Sequence, residues 1–326
     1  MTSGVAKRRF IYVIGGGSIG AFLAGKYSAA GFETVLVVRS EAQKLAFQDG
    51  LEFLPAFGEA GGFRARPKVV VWADCPPFPP QSSVFICSKI FQFEQVLAEV
   101  RARLHESNEL IFCQNGLGVF EEAEKSLLAS GRWQRAICWF GVKPSPHGRA
   151  AEFEVAGTPG VELGGGNPER LVRTAEDFRA AQVPVLFEGP VAQAEWRKAL
   201  WNIALNALCA TAQAPNGHMA SDPRLRRVAE LVVKESMQVG KELGVFLTKA
   251  DEARVFQAAE ATATNLNSML QDLWAGRRTE LEWLNGYIVR EGTRLGIATP
   301  VNQTLVSLVT YLEEKNVLKR LASPST

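Results

Sequence analysis

With 36 Lys and Arg against 34 Asp and Glu over 326 residues, the chain carries a net charge of +2 and no dense basic run, which argues against a nucleic-acid or anionic-membrane surface. A composition 47% hydrophobic and 21% charged is that of an ordinary soluble protein long enough for two domains. Five scattered cysteines without a CxxC pair fit a reducing cytoplasm, three histidines at 105, 147 and 218 lack ligand-like spacing and predict no metal site, and no long apolar run predicts a membrane span.

In chain order, FIYVIG reads as a strand and leads to a helix from about Ser18 to Ala30, which Gly31 stops. TVLVV, KVVVWA, SVFICS, ELIFCQ and AICWFGV read as further strands, with helices at FEQVLAEVRARL and FEEAEKSLLAS. Such alternation predicts a parallel sheet covered on both faces. EFEVAG and VELGG are expected to add an antiparallel extension, joined by a turn at Gly157-Thr158-Pro159-Gly160. After VPVLFEG only helical periodicity remains, punctuated at Pro215-Asn216-Gly217, Ala275-Gly276 and Thr299-Pro300. A boundary near Gly189-Pro190 therefore divides an α/β domain over 1–189 from an all-α domain over 190–326, and only the terminal SPST reads as disordered.

Gly15, Gly17 and Gly20 form a GxGxxG in IGGGSIG, after a strand and opening a helix through Ser18 and Ile19. That context predicts dinucleotide binding: Gly15 permits the tight turn, Gly17 lets a pyrophosphate reach the backbone, and Gly20 allows close helix packing. The second strand ends in Arg39 where an NAD site would place an acidic residue for the ribose 2′-hydroxyl. A guanidinium suits a 2′-phosphate, so NADP is expected. Lys89, Gln92 and Asn115 lie just past two more strands, at the carboxyl edge where doubly wound sheets bind ligands.

WRKALWNIALNAL raises a different question. From Trp196 to Ala210 only Arg197, Lys198, Asn202 and Asn206 are strongly polar, and the last three recur at steps of four along one side of the expected helix. A helix apolar nearly all round is normally buried, and burying an ammonium and two amides without partners costs several kcal/mol. The pattern fits a solvated stripe, a satisfied core network or the wall of a site.

IGGGSIG, Lys89, QNGLG, WRKALWNIALNAL, ATATNLNSMLQDL and RRTELEWLNGYIV, in that order, together resemble the ketopantoate reductase (2-dehydropantoate 2-reductase) family. The resemblance implies a Rossmann-type N-terminal domain, an all-α C-terminal domain, and NADPH-dependent reduction of 2-dehydropantoate to (R)-pantoate in the cleft between them. It makes Lys198 the catalytic lysine and Glu280 a second catalytic residue. Asn115, Asn202, Asn206, Asn265 and Ser268 join them as residues lining the substrate pocket or meeting the nicotinamide. Arg39, Lys89, Gln92 and Asn115 join Gly15, Gly17, Ser18, Ile19 and Gly20 at the cofactor. Lys198 is expected to act as general acid towards the alkoxide that forms at C2, with desolvation favouring release of its proton. Thr279 is expected to cap a helix and leave Glu280 in its first turn.

CWFGVKPSPHGR (138–149) departs from the small-residue and threonine-rich strand of that family, at Trp139, Phe140, Lys143 and His147. It is expected near the cleft, where it would alter substrate size or loop closure. A reductase for another branched 2-oxo acid and a non-catalytic NADP sensor are the alternatives. Trp and Leu faces in the helical half would suit a homodimer and would equally suit a core.

Overall fold

The computed structural model describes residues 9–55, 62–118, 133–145, 148–156, 160–188 and 191–322. The expected helix at FEEAEKSLLAS, His147, the turn residues 157–159, the Gly189-Pro190 boundary and the SPST tail lie outside them. By contact the chain forms two compact units, one of Met1–Gln114 with Glu121–Val191 and the other of Asn115–Phe120 with Ala192–Thr326.

The strands described in the first unit are β1 (Phe10–Ile14), β2 (Glu33–Val38), β3 (Leu51–Pro55), β4 (Phe63–Ala65), β5 (Lys68–Val71), β6 (Ser83–Ile86), β7 (Glu109–Phe112), β8 (Trp133–Cys138), β9 (Gly141–Pro144), β10 (Glu152–Ala156), β11 (Val161–Gly164) and β12 (Val185–Glu188). Eight of them form one sheet in the order β12-β11-β8-β7-β6-β1-β2-β5. It is parallel except where β11 runs antiparallel to β8. Every residue of β6, β7 and β8 is buried, as a sheet covered on both faces requires. The order reverses at β1, which lies between β2 and β6, and such a switch point opens a crevice at the carboxyl ends of the strands.

A second sheet, β4-β3-β10-β9, packs on the helix Ser18–Ala29. Its core is aromatic. Phe53 stacks between Phe63 at 4.6 Å and Phe153 at 5.4 Å, and Phe22 of the helix meets Phe53 edge-on at 5.7 Å. Gly25 admits that contact, because a Cβ there would stand 2.5 Å from the Phe53 ring. This sheet corrects two expectations. EFEVAG and VELGG do not pair: β10 lies in the small sheet against β3 and β9, whereas β11 extends the large one against β8. AICWFGV is two strands in different sheets, because Phe140 turns into the aromatic core and meets Phe22 at 4.9 Å.

The second unit is helical: Val191–Ala212, Gly217–Ser221, Pro223–Glu242, Lys249–Ala261, Ser268–Trp274, Asn285–Leu295 and Pro300–Ala322, with a 3-10 turn at Leu281–Trp283. Alanine-rich and free of Gly and Pro, Val191–Ala212 has high helix propensity along its length. It ends in a Schellman arrangement, with Gln213 left-handed (φ 53°), Gln213 N–H donating to Ala210 O at 3.3 Å and Ala214 N–H to Cys209 O at 3.0 Å. Pro215 follows. Elsewhere Asp222 caps the helix at Pro223, and Thr248 with Asp251 forms a reciprocal capping box.

A buried polar chain crosses this apolar core. Asn285, fully buried, donates through Nδ2 to Ile203 O and to Asn302 Oδ1, both at 3.0 Å. Asn302 Nδ2 donates to Glu235 at 2.8 Å, and that carboxylate also accepts the Val301 and Asn302 N–H groups at the start of the last helix, each at 3.0 Å. Four helices are thereby tied through groups that would each be costly to leave unbonded. Asn285→Ala removes the donor that satisfies Asn302 Oδ1; we expect a loss of about 1–3 kcal/mol in urea unfolding, read as a lower midpoint at unchanged slope.

Candidate active site

The glycine loop joins β1 to the helix Ser18–Ala29 at the switch point. Gly15 has φ +112°, and a Cβ there would stand 2.8 Å from Ser88 N, so this residue must be glycine for the ends of β1 and β6 to meet. At Gly20 a Cβ would stand 1.9 Å from Gly15 O, which would break the turn. Gly17 is exposed, with open space where a Cβ would be and no side chain capping the helix behind it. Backbone donors at this helix start therefore face a surface that an anion can approach, as a pyrophosphate requires. Ser18 and Ile19, half-buried, form the first turn.

Arg39 directly follows β2 and is exposed; Ser40 after it caps the helix Glu41–Phe47 by accepting from Gln43 N. Gln43 Nε2 reaches back to Gly16 O at 2.7 Å and locks that helix to the glycine loop. Lys89 and Gln92 are both half-buried beyond β6, at the starts of a 3-10 turn and of the helix Phe93–Arg101.

Pro144 and Ala150, from either side of the β9–β10 turn, line a cavity of about 280 Å³ with Gly16, Gly17 and Ser18. Lys143 pairs with Glu154 across the two strands at 2.9 Å. Phe140 and β9 are held within the sheet unit by the aromatic core over Ser18–Ala29.

Lys198, Asn202 and Asn206 lie on the helix Val191–Ala212, the first two half-buried and Asn206 only 5% exposed. The Lys198 ammonium stands 4.2 Å from the centre of the Trp201 ring, whose face attracts a cation. Trp196 anchors the same helix edge-on to Tyr287 at 6.0 Å, with Gly240 leaving room beside its ring. The stripe is therefore neither fully solvated nor fully in the core.

Asn115 is exposed just beyond β7, and the chain turns at once through Gly116 (φ 104°). Leu117 is buried in the helical core, and its N–H donates to Trp283 O at 2.8 Å. Leu117 is thereby tied to the turn that begins at Glu280. Glu280, 8% exposed, stands at the cap position of the 3-10 turn Leu281–Trp283, not in the first turn of an α-helix. The long helix starts only at Asn285, because Thr279 Oγ1 accepts the Leu281 N–H and closes a tight local turn. Thr279 N–H in turn donates to Glu313 at 2.7 Å. Arg277 binds Asp272 at 2.8 Å and joins RRTE to SMLQD.

Asn265 is half-buried and accepts the Asn216 N–H at 2.9 Å, which holds the end of the Val191–Ala212 segment against this corner. Ser268 is exposed at the start of its helix. Asn267, unremarked in the sequence reading, caps that helix by accepting from Leu270 N at 2.9 Å, and its Nδ2 is buried without a hydrogen-bond partner. The signal for it was an Asn immediately before an apolar helical run. Arg135 within β8 was also missed, since an arginine within a strand reads as exposed. The candidates divide cleanly: the glycine loop, Arg39, Lys89 and Gln92 belong to the sheet unit, and Asn115, Lys198, Asn202, Asn206, Asn265, Ser268 and Glu280 to the helical one. Among the described residues no group of three or more His, Cys, Asp or Glu could hold a metal ion, and no helix is long and apolar enough to cross a membrane.

Two family models match, "Ketopantoate reductase PanE/ApbA" over residues 11–165 and "Ketopantoate reductase PanE/ApbA C terminal" over 191–313. A 2-dehydropantoate 2-reductase of Archaeoglobus fulgidus is 30% identical over 307 residues, 93% of this chain and 97% of that one. The PanE/ApbA family ketopantoate reductase of Ralstonia eutropha JMP134 superposes with a TM-score of 0.83 at 26% identity, covering 94% and 99% of the two chains. A D-mandelate dehydrogenase solved with NADH and anilino(oxo)acetate shares the fold at 19% identity, with a TM-score of 0.82 over 95% and 99%. An α/β unit with a glycine-loop switch point, a helical unit carrying WRK and RRTE, and similarity along nearly the whole chain lead to one assignment: the chain belongs to the ketopantoate reductase family, oxidoreductases that act on a CH–OH group.

Proposed function

We propose that this protein reduces 2-dehydropantoate to (R)-pantoate with NADPH, a step towards pantothenate and coenzyme A. The observation that carries the reading is the polar stripe of the Val191–Ala212 helix, with an ammonium half out of water and a buried amide two turns further along. Such a stripe suits a small polyoxygenated substrate.

The glycine loop fits a dinucleotide, with an unobstructed backbone at Gly17 and turn geometry that excludes side chains at Gly15 and Gly20. Gly15, Gly17, Ser18, Ile19 and Gly20 would hold the pyrophosphate, Arg39 the 2′-phosphate, and Lys89, Gln92 and Asn115 the remainder of the cofactor. When bound, the nicotinamide supplies hydride to C2 of the 2-oxo acid. Lys198 stabilises the negative charge growing on the C2 oxygen and delivers its proton there. The face of Trp201, 4.2 Å from the ammonium, attracts the cation. Asn202, Asn206 and Asn265 donate to and accept from the substrate's hydroxyl and carboxylate without adding charge. Ser268 offers a hydroxyl to a carboxylate oxygen, and Glu280 accepts from the terminal hydroxyl or pairs with Lys198.

Turnover of purified protein with NADPH over a panel of 2-oxo acids tests the substrate directly. We expect the highest kcat/KM for 2-dehydropantoate, and a better value for another branched 2-oxo acid would transfer the assignment to it. Lys198→Ala should lower kcat by about 10²–10⁴-fold with NADPH affinity little changed; near-normal turnover would remove the lysine from the chemistry. Arg39→Asp should weaken NADPH far more than NADH, measured as the two dissociation constants. An unchanged ratio between them would show that the 2′-phosphate is recognised elsewhere.

A further inference from the structure

A buried cation stands at the carboxyl end of β7 that the reaction as proposed does not use. Arg135 lies in β8 opposite Phe112 and is 1% exposed. Its Nη1 donates to Phe112 O at 2.9 Å and its Nη2 to Gln114 O at 2.6 Å. Carbonyls two residues apart point to the same edge of an extended strand, and a planar guanidinium can grip both at once. The fork thus extends the hold of β8 on this strand past its last regular residue.

That hold ends where function is expected to begin. Cys113 N–H still bonds to Ile86 O at 2.9 Å, but the buried side-chain amide of Gln114 has no hydrogen-bond partner, so Gln114 is not anchored through its side chain. Asn115 follows, exposed, and Gly116 turns the chain. The other end of β7 makes the contrast. Buried Glu109 pairs there with Arg9 at 3.2 Å and Arg173 at 3.3 Å, on the amino edge of the sheet, away from the ligand crevice. Charge at that edge serves the sheet alone.

We propose that Arg135 is a positioning residue for Asn115: by fixing the Gln114 carbonyl it sets the direction from which the Asn115 amide is presented. The inference rests on the proposed role of Asn115 at the cofactor or substrate. Lysine keeps the charge but lacks the fork, and a displacement of about 1 Å at a reacting site costs about 10²-fold in rate.

Wild type, Arg135→Lys, Asn115→Ala and the double variant are compared in kcat, KM for NADPH and melting temperature. Arg135→Lys should lose about 10–100-fold in kcat with KM for NADPH moving by less than about threefold, and the double variant should be no slower than Asn115→Ala. A purely structural arginine would lower the melting temperature and leave kcat near wild type, which would overturn the proposal. Losses that multiply in the double variant, or an Asn115→Ala enzyme that turns over normally, would overturn it as well. Should Arg135→Lys fail to fold, Arg135→Gln takes its place. A wild type inactive on 2-dehydropantoate would sink the substrate assignment alone. The same set is then compared in kcat on the 2-oxo acid that the wild type reduces fastest, where both single losses and their failure to multiply are again required.

Discussion

The hydrogen bond from the Asn285 amide to the Ile203 carbonyl holds one helix at one rotation, and the arrangement of the helical unit depends on it. A helix with apolar residues nearly all round has no amphipathic face to orient it. Its rotation must come from specific contacts, and here these are the Asn285 bond and the Trp196 ring lodged against Tyr287 and Gly240. With that rotation set, Lys198 and Asn202 emerge partly into solvent while Asn206 remains buried. Turned by one residue, about 100°, the same helix would drive an ammonium into the hydrocarbon, at a cost of several kcal/mol.

Backbone bonds do similar work around it. Within the helical unit Leu117 is committed to the core, and its N–H, two residues after Asn115, bonds to the Trp283 carbonyl. The Glu280 turn is in turn held by the Thr279 hydroxyl and by Glu313. Short polar side chains and free carbonyls thus position the candidate residues more rigidly than side-chain packing alone would, since each of these bonds has a narrow geometry.

In the sheet unit the controlling constraint is how closely backbones approach. Gly15 lies against Ser88 and Gly20 against Gly15, and a Cβ at either would separate β1 from β6 or break the turn. The small aromatic sheet over Ser18–Ala29 stabilises the helix that begins at this loop. Phe140 belongs to that aromatic packing, beside Phe22.

Periodicity and punctuation were enough to read the alternating strands of the first half, the helices of the second and the glycine loop, because each is a local pattern whose period or turn chemistry is written in neighbouring residues. The candidate site residues stood out too, as polar letters in apolar runs. Partnership across the chain was not. EFEVA and VELG look like adjacent strands, yet they join different sheets, because pairing follows from where the Phe153 ring finds its neighbours. Glu280 looked like a first-turn glutamate until the Thr279 hydroxyl took the Leu281 N–H. Arg135 and Asn285 carry no local signal at all; each acquires meaning from a carbonyl 21 to 82 residues away. Local sequence specifies what each segment tends to become, whereas long-range hydrogen bonds, formed only once the segments pack, specify which of its polar atoms face inward and what they hold.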